Sequence, residues 1–248
     1  MENRDPDVFG VTAVTSLDGW RSITKNHENE TRSAYLVGQR WLGSSGDFPP
    51  AIKRLMTDSM LSLRPAFSVA EHITVLDTFV APSRTDLMVY CRDGKNGRAV
   101  IALEGKVTEA FDEQIVYWIR DSRQTRSRQN LPDLLALQIN QGKKRRLKWL
   151  SNHLGLSLDD QSVIRYQLLH RTVDALLEAK HIGANLAIML VQAFAECSEN
   201  WNDYAEFAKL MGFNSIAPDS ISEPKVLPAF PGISLHLGWA YDLLEKQG

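Results

Sequence analysis

Two apolar runs separated by a short polar turn constrain the fold of this chain more than any other feature. The first run covers residues 87–90, the second covers residues 99–103, and the stretch between them contains two glycines. This pattern is typical of a β-hairpin, because each run suits one strand and glycine favours a tight turn. If the hairpin is symmetric about Lys95, Asp86 lies directly opposite Glu104.

The charged residues at the ends of these strands predict a metal site. Side chains alternate between the two faces of a strand, so Glu104 and Lys106 share a face and Asp86 points the same way. Two opposed carboxylates repel each other, and a hard divalent cation between them would turn that repulsion into binding. With Lys106 beside a water, the pattern indicates metal-dependent phosphodiester hydrolysis. The alternative is a structural ion pair that uses Lys106.

The order of these elements resembles that of a known family. A strand with Asp86, a hairpin, a second strand with Glu104-Gly105-Lys106 and a following helix are similar to the core of the PD-(D/E)XK nuclease superfamily, which has the restriction-endonuclease-like fold. The resemblance implies that Asp86 and Glu104 bind Mg²⁺ or Mn²⁺ and that Lys106 assists the attacking water. Under this hypothesis the Gly105 carbonyl is a further metal ligand. Position 85 is Thr where the family name has Pro.

The resemblance also implies secondary site residues. An upstream acid is often present in the family, and Glu71 is the candidate, with Glu30 a poorer one; for Glu71 an ordinary surface position is the alternative. A helix after the motif often adds a polar residue. Gln167, His170 and Arg171 are spaced for one face of such a helix, where they either point into the site or cap the buried sheet.

The rest of the chain predicts an α/β fold. Apolar spacing indicates helices over residues 30–42, 51–62 and 162–180, and an almost wholly apolar strand follows over 187–194. These elements predict an α/β or α+β fold in which helices flank a central mixed β-sheet, with additional N-terminal helices. The resemblance implies that the core of this α/β fold is restriction-endonuclease-like. A group of uncharacterised bacterial proteins is similar to the chain around the Glu-x-Lys motif and the later helix, which bears on fold and not on substrate.

Composition bounds the domain count and the compartment. The 248 residues, 44% hydrophobic and 23% charged, suit one domain over 1–248, with an N-terminal helical part at 1–65 and the sheet core at 66–248. No apolar stretch reaches the roughly 18 residues of a membrane span. The polar N-terminus is not typical of a signal peptide, and two cysteines do not make a disulfide framework. We expect a soluble, cytoplasmic protein without a membrane partner.

A basic segment suggests the partner. Residues 120–148 contain nine Lys and Arg against two Asp, a net charge of +7, whereas the whole chain carries −2. Such a segment predicts a phosphate-binding surface, with a solvated helix face as the alternative. The residues expected to contact nucleic acid are Arg120, Arg123, Arg126, Lys143, Lys144, Arg145 and Arg146.

Two functions remain open from the sequence. The first is a Mg²⁺-dependent nuclease that acts on nucleic acid, DNA rather than RNA, with a homodimer as one assembly that would cut both strands. The second is a catalytically inactive nuclease fold that serves as a binding or interaction module in a bacterial multi-protein system. Metal binding discriminates between the two.

Overall fold

The described part of the chain builds one mixed sheet between two layers of helices. The computed structural model describes residues 16–23, 33–94, 97–119, 140–157 and 163–244. Within these ranges seven strands form a single sheet, and helices pack on both of its faces, which confirms the α/β class. Among the described helices, none has both the length and the hydropathy needed to cross a membrane.

The elements are named here in chain order. The strands are β1 Leu63–Thr74, β2 Ser83–Asp93, β3 Arg98–Lys106, β4 Leu186–Ala193, β5 Ser220–Ile221, β6 Lys225–Val226 and β7 Ser234–Tyr241. The helices are α1 Leu17–Ile23, α2 Ser33–Gly43, α3 Pro50–Asp58, α4 Ile115–Trp118, α5 Gln141–Leu154, α6 Tyr166–His181 and α7 Ser198–Leu210.

The sheet combines an antiparallel half with a parallel half. Its strand order is β1-β2-β3-β4-β7-β5, and β6 also pairs with β7. The first three strands are antiparallel neighbours, whereas β3, β4 and β7 run parallel. The predicted hairpin is β2–β3, and its register, from Arg92 opposite Arg98 to Leu87 opposite Leu103, is the one that symmetry about Lys95 requires.

Strand β3 lies at the centre of the fold and carries the Glu-x-Lys motif. Every residue of β3 except Arg98 is buried, because helices cover both faces of the sheet. Val100 and Ala102 pack into the core on the side of α5 and α6. Ile101 and Leu103 pack into the core on the side of α2 and α3. A strand covered on both faces is apolar at successive positions, which explains the run that identified it.

The predicted boundaries differ from the structure at the edges of the sheet. The sheet begins at Leu63, so the N-terminal helical part ends before residue 65. The sequence did not indicate this start because β1 is an edge strand whose residues are mostly exposed or half-buried, and an exposed strand has no apolar run. The short β5 and β6 also lie in a stretch without a strand pattern, since each contains two residues.

Candidate functional site

The candidate site lies where β2 and β3 separate. The two strands pair as far as Leu87 and Leu103, after which β3 continues to Lys106 in contact with β4. The next position in this register places Asp86 opposite Glu104. There the backbone N–H of Gly105 donates a hydrogen bond of 2.9 Å to Asp86 Oδ2. The Asp86 carboxylate thus accepts the hydrogen bond that a backbone carbonyl of β2 would accept if the two strands stayed paired.

Strand β2 changes its alternation beside Asp86. Thr85 hydrogen-bonds to Asp174 on α6 at 3.2 Å, and Met88 packs into the core on the same α6 side. Residues three apart on a regular strand point to opposite faces, so the backbone departs from regular geometry between them. Glu71, which the β1–β2 register places across from Asp86, has a positive φ of 50°. Strain of this kind often accompanies functional sites.

Gly105 is needed because helix α2 approaches the strand closely. A Cβ atom at this position would lie 2.7 Å from Val37 Cγ2 and 3.2 Å from the carbonyl oxygen of Ser33. These residues form the first turns of α2, on the opposite face of the sheet from Glu104 and Lys106. The glycine of the Glu-x-Lys motif therefore has a packing role, whatever the chemistry of its neighbours.

Glu104 is the centre of a buried network of charges. Its Oε1 accepts hydrogen bonds from Lys106 Nζ at 2.9 Å and Gln167 Nε2 at 2.7 Å. Its Oε2 accepts from Arg171 Nε at 2.9 Å and Arg171 Nη2 at 2.6 Å. Burial alone would raise the pKa of Glu104, but the charges of Lys106 and Arg171 outweigh it and lower the pKa to about 2. Glu104 is therefore ionised at every physiological pH.

Asp86 has the opposite electrostatic environment. The loss of solvent around it is the largest effect and the charge of Glu104 is the next, and together they raise the pKa of Asp86 to about 7. Arg171 and Lys106 offset only part of this increase. At neutral pH the Asp86 carboxyl group thus carries a proton in a large fraction of molecules, and a cation bound there would displace it.

The proton on Asp86 predicts an unusual pH dependence of stability. The unfolded chain releases it near pH 4, whereas the folded chain keeps it until about pH 7. The proton thus stabilises the fold fully below pH ~4, and this contribution is lost as the pH rises towards 7. Asp86→Asn, which cannot ionise, should match wild type at pH 4 and exceed its unfolding free energy by about 1–2 kcal/mol at pH 8.

Urea unfolding at the two pH values measures this effect. Asp47→Asn is a suitable control, because a hydrogen bond from Lys53 lowers the pKa of Asp47. That variant should gain no stability at pH 8. Equal behaviour of Asp86→Asn and wild type at both pH values would contradict the raised pKa of Asp86.

Lys106 is a buried cation. Only 4% of the residue is exposed, and its Nζ lies 5.0 Å from the centre of the Phe111 ring. Burial by itself would lower the pKa of Lys106, but the carboxylates of Glu104 and Asp86 outweigh it and raise the pKa above its usual value. Lys106 therefore stays protonated and acts as a hydrogen-bond donor rather than as a base.

The first turns of α6 supply three of the predicted site residues, two of which reach Glu104. Gln167 and Arg171 make the contacts given above. His170 instead lies with its Nδ1 2.8 Å from Ser83 Oγ, beside Asp174. The helix thus contributes two partners of Glu104 and one residue that belongs to a neighbouring hydrogen-bond group.

Asp174 is a member of the network that the sequence did not indicate. It is fully buried and accepts hydrogen bonds from Ser83 at 2.6 Å and Arg171 at 2.9 Å. Its Oδ1 has no hydrogen-bond partner. Its spacing of three from Arg171 and four from His170 was the available signal, because these positions share a helix face. Arg171 consequently links two buried carboxylates, Glu104 and Asp174.

The structure describes one of the two predicted upstream acids, Glu71. Glu71 is a neighbour of Asp86 in register, but its Oε2 lies 3.7 Å from Arg84 Nη1. Glu30 falls outside the described residues. Among the residues that the structure describes, no three or more His, Cys, Asp or Glu side chains form a group that could hold a metal ion.

Arg146, one of the residues predicted to contact nucleic acid, is buried in the structure. It is 1% exposed, and its Nη2 donates to Asp77 Oδ1 at 2.8 Å and to the carbonyl of Val80 at 3.0 Å. A guanidinium group held in this way inside the protein is not available to a phosphate backbone, so a structural role replaces the predicted contact.

The other basic residues of the segment are less buried. On α5, Lys143 and Lys144 are half-buried and Arg145 is exposed. Lys143 Nζ donates to the carbonyl of Trp118 at 2.5 Å, and the guanidinium of Arg145 lies 5.5 Å from the centre of the Phe79 ring. Arg120, Arg123 and Arg126 lie outside the described residues.

The oxygen atoms around the strand separation suit a hard divalent cation. Asp86 supplies a carboxylate, and Gln167 supplies a buried Oε1 that has no hydrogen-bond partner. The N–H and C=O of one strand residue point the same way across a sheet, so the Gly105 carbonyl lies on the Asp86 side. Oxygen ligands of this kind are those that Mg²⁺ and Mn²⁺ prefer. Glu104 would join them only by exchanging a bond from Lys106 or Gln167.

The fold and the site define a class of protein: an α/β protein with a buried carboxylate–lysine–arginine cluster where a β-hairpin opens. Comparison with family models gives the family. Residues 13–243 match the model described as Domain of unknown function (DUF6946), and the chain belongs to that family. No curated protein and no solved structure matches the chain.

Proposed function

We propose that the chain is a metal-dependent nuclease of restriction-endonuclease-like fold, a member of the PD-(D/E)XK superfamily, that hydrolyses phosphodiester bonds of DNA. One observation carries the proposal. Asp86, Glu104 and Lys106 converge where β2 and β3 separate, and the charge of Glu104 helps to raise the pKa of Asp86 to about 7. Lys106 and Arg171 offset only part of the repulsion between these two adjacent carboxyl groups. A divalent cation bound between them would neutralise the remaining negative charge.

The order of the elements supports the same proposal. Asp86 lies on β2, the hairpin leads into β3 with Glu104 and Lys106, and α6 then supplies Gln167. This order of elements is the one on which the resemblance to the PD-(D/E)XK superfamily rests. The topology around it is a mixed sheet with helices on both faces.

Each residue would then have a defined task. Asp86, Glu104 and the Gly105 carbonyl would hold Mg²⁺ or Mn²⁺, and the bound cation would lower the pKa of a water and neutralise charge on the phosphate. Lys106, which stays protonated, would donate a hydrogen bond to a phosphate oxygen as its negative charge grows. Arg171 would keep Glu104 ionised and correctly oriented through its two hydrogen bonds.

The experiment compares wild type with Glu104→Ala and Glu104→Gln on supercoiled plasmid and linear DNA, with Mg²⁺ or Mn²⁺. Both variants should lose at least about a hundredfold in cleavage rate. Glu104→Gln keeps the shape of the side chain, so circular dichroism and thermal unfolding can separate lost chemistry from a lost fold. Glu113→Ala, which changes an exposed glutamate after β3, is the matched control and should cleave like wild type. Cleavage that survives in both Glu104 variants rejects this site.

A second candidate is a binding module that keeps the fold without catalysis. The observation that favours it is the saturation of Glu104, whose two oxygens already accept four hydrogen bonds from protein groups. In that case the ion pairs are the final state of the site. Titration calorimetry with Mn²⁺ discriminates: heat that disappears in Asp86→Ala supports the nuclease, and no heat with the wild type supports the binding module.

A further inference from the structure

A series of four hydrogen bonds connects Glu104 to His170, which lies closer to solvent. It runs from Glu104 Oε2 to Arg171 Nη2 at 2.6 Å and from Arg171 Nη1 to Asp174 Oδ2 at 2.9 Å. It continues from Asp174 Oδ2 to Ser83 Oγ at 2.6 Å and from Ser83 Oγ to His170 Nδ1 at 2.8 Å. The side chain of His170 is 11% exposed, whereas the guanidinium group and the two carboxylates are at most 4% exposed.

The direction of these hydrogen bonds fixes the tautomer of His170. Asp174 Oδ2 is an acceptor, because Arg171 Nη1 and Thr85 Oγ1 also donate to it. The single hydroxyl proton of Ser83 therefore points to Asp174. The contact between Ser83 Oγ and His170 Nδ1 is then a hydrogen bond only if Nδ1 carries a proton and is the donor. His170 thus contributes to the series through its Nδ1–H group.

The orientation of Asp174 depends on one of its two oxygens. Among the residues that the structure describes, Oδ1 of Asp174 has no hydrogen-bond partner, so the donors to Oδ2 hold the carboxylate. Arg171 donates to Asp174 and to Glu104 from the same planar guanidinium group, and hydrogen bonds in a series polarise and strengthen one another. A change at Ser83 therefore reaches Glu104 without a direct contact.

We propose that His170 positions Glu104 by acting through the three residues between them. Its ring is held in place, because it packs against the Tyr166 ring with 4.8 Å between the centroids. The Nδ1–H group directs the hydroxyl proton of Ser83 to Asp174, which keeps the guanidinium group aligned with Glu104. The effect on cleavage rests on the proposed nuclease function, whereas the effect on the guanidinium group does not.

Two substitutions of His170 separate the Nδ1–H group from the rest of the ring. The amide nitrogen of Asn lies as many bonds from Cβ as Nδ1 does, so His170→Asn retains a donor to Ser83. The amide nitrogen of Gln corresponds to Nε2 instead, so His170→Gln loses that donor. Arg171 Nε–H, which donates to Glu104 Oε2 at 2.9 Å, is the reporter, and its hydrogen exchange is measured by NMR. Exchange should be about tenfold faster in His170→Gln and unchanged in His170→Asn.

Cleavage kinetics on the same variants test the effect on the proposed nuclease. His170→Gln should lower kcat for DNA about tenfold and leave KM unchanged, and His170→Asn should restore kcat. The matched control is His153→Gln on α5, which changes a half-buried histidine whose Nδ1 lies 2.8 Å from the carbonyl of Trp149 on the same helix. That variant should cleave like wild type.

Ser83→Ala tests the series from its other side, and it replaces the His170 variants if circular dichroism shows that they do not fold. It should also accelerate exchange of Arg171 Nε–H, and adding His170→Gln to it should have no further effect. Exchange that is unchanged in His170→Gln, equally fast in His170→Asn, or additive with Ser83→Ala overturns the positioning role. Absence of cleavage by the wild type rejects the nuclease instead, and the exchange rates still decide on His170.

Discussion

Arg171→Met is expected to lower the free energy of unfolding by about 3–5 kcal/mol. Arg171 is 2% exposed, and it donates to Glu104 and to Asp174 from the same guanidinium group. Its removal leaves two buried carboxylates without their shared cation, and Lys106 compensates only Glu104. The chemical denaturation midpoint at pH 7 measures the loss.

A control and a double-mutant cycle separate this effect from a general loss of an arginine. Arg165→Met removes a partly exposed arginine that pairs with Asp203 at 2.8 Å, and such a pair contributes at most about 1 kcal/mol. Combining Arg171→Met with Glu104→Gln removes one of the unpaired charges, so the double variant should be more stable than the sum of the single effects implies. Additive losses would show that Arg171 and Glu104 do not act as a pair.

Lys106→Met is expected to lower the DNA cleavage rate by about 10²–10³-fold, if the proposed nuclease activity is present. The methionine fills a similar volume but supplies no charge or hydrogen bond to a phosphate oxygen. Mn²⁺ affinity should stay equal or increase, because a cation that repels the metal has been removed. Cleavage kinetics and calorimetry on the same variant therefore separate transition-state stabilisation from metal binding.

Two further variants give this experiment its contrast. Lys106→Arg keeps the positive charge and should retain part of the rate. Lys148→Met changes an exposed lysine on α5 and should cleave like wild type. A Lys106→Met variant that loses Mn²⁺ binding together with cleavage would assign Lys106 to the structure of the site instead of to its chemistry.

Local patterns were enough to predict the central part of the site. Alternation along β2 and β3 gave the register that opposes Asp86 and Glu104, because neighbouring strands joined by a short turn have few alternative pairings. Helical spacing placed Gln167 and Arg171 on one face, and both reach Glu104. These inferences need only short-range geometry, which the sequence records directly.

Long-range partners could not be predicted in the same way. Arg146 belongs to a run of four basic residues that is typical of a solvated surface. It is nevertheless buried, because Asp77, 69 positions earlier in the chain, accepts a hydrogen bond from its guanidinium group. Asp174 lies among apolar residues of α6, and its Oδ2 accepts hydrogen bonds from Ser83 and Arg171. In each case the decisive partner comes from a segment whose position depends on the complete fold.

The central position of β3 has a consequence for how the site can move. Its amides from Val100 to Leu103 lie between the paired strands β2 and β4, and a hydrophobic core covers each face of the sheet there. Hydrogen exchange of these amides should therefore require global unfolding. Edge strand β1, which carries Glu71, should exchange through local opening instead. Glu104 and Lys106 are thus fixed to the slowest-exchanging part of the molecule, whereas Asp86 lies at the point where pairing with that part ends. Adjustment of the site to a ligand should therefore come from the Asp86 side.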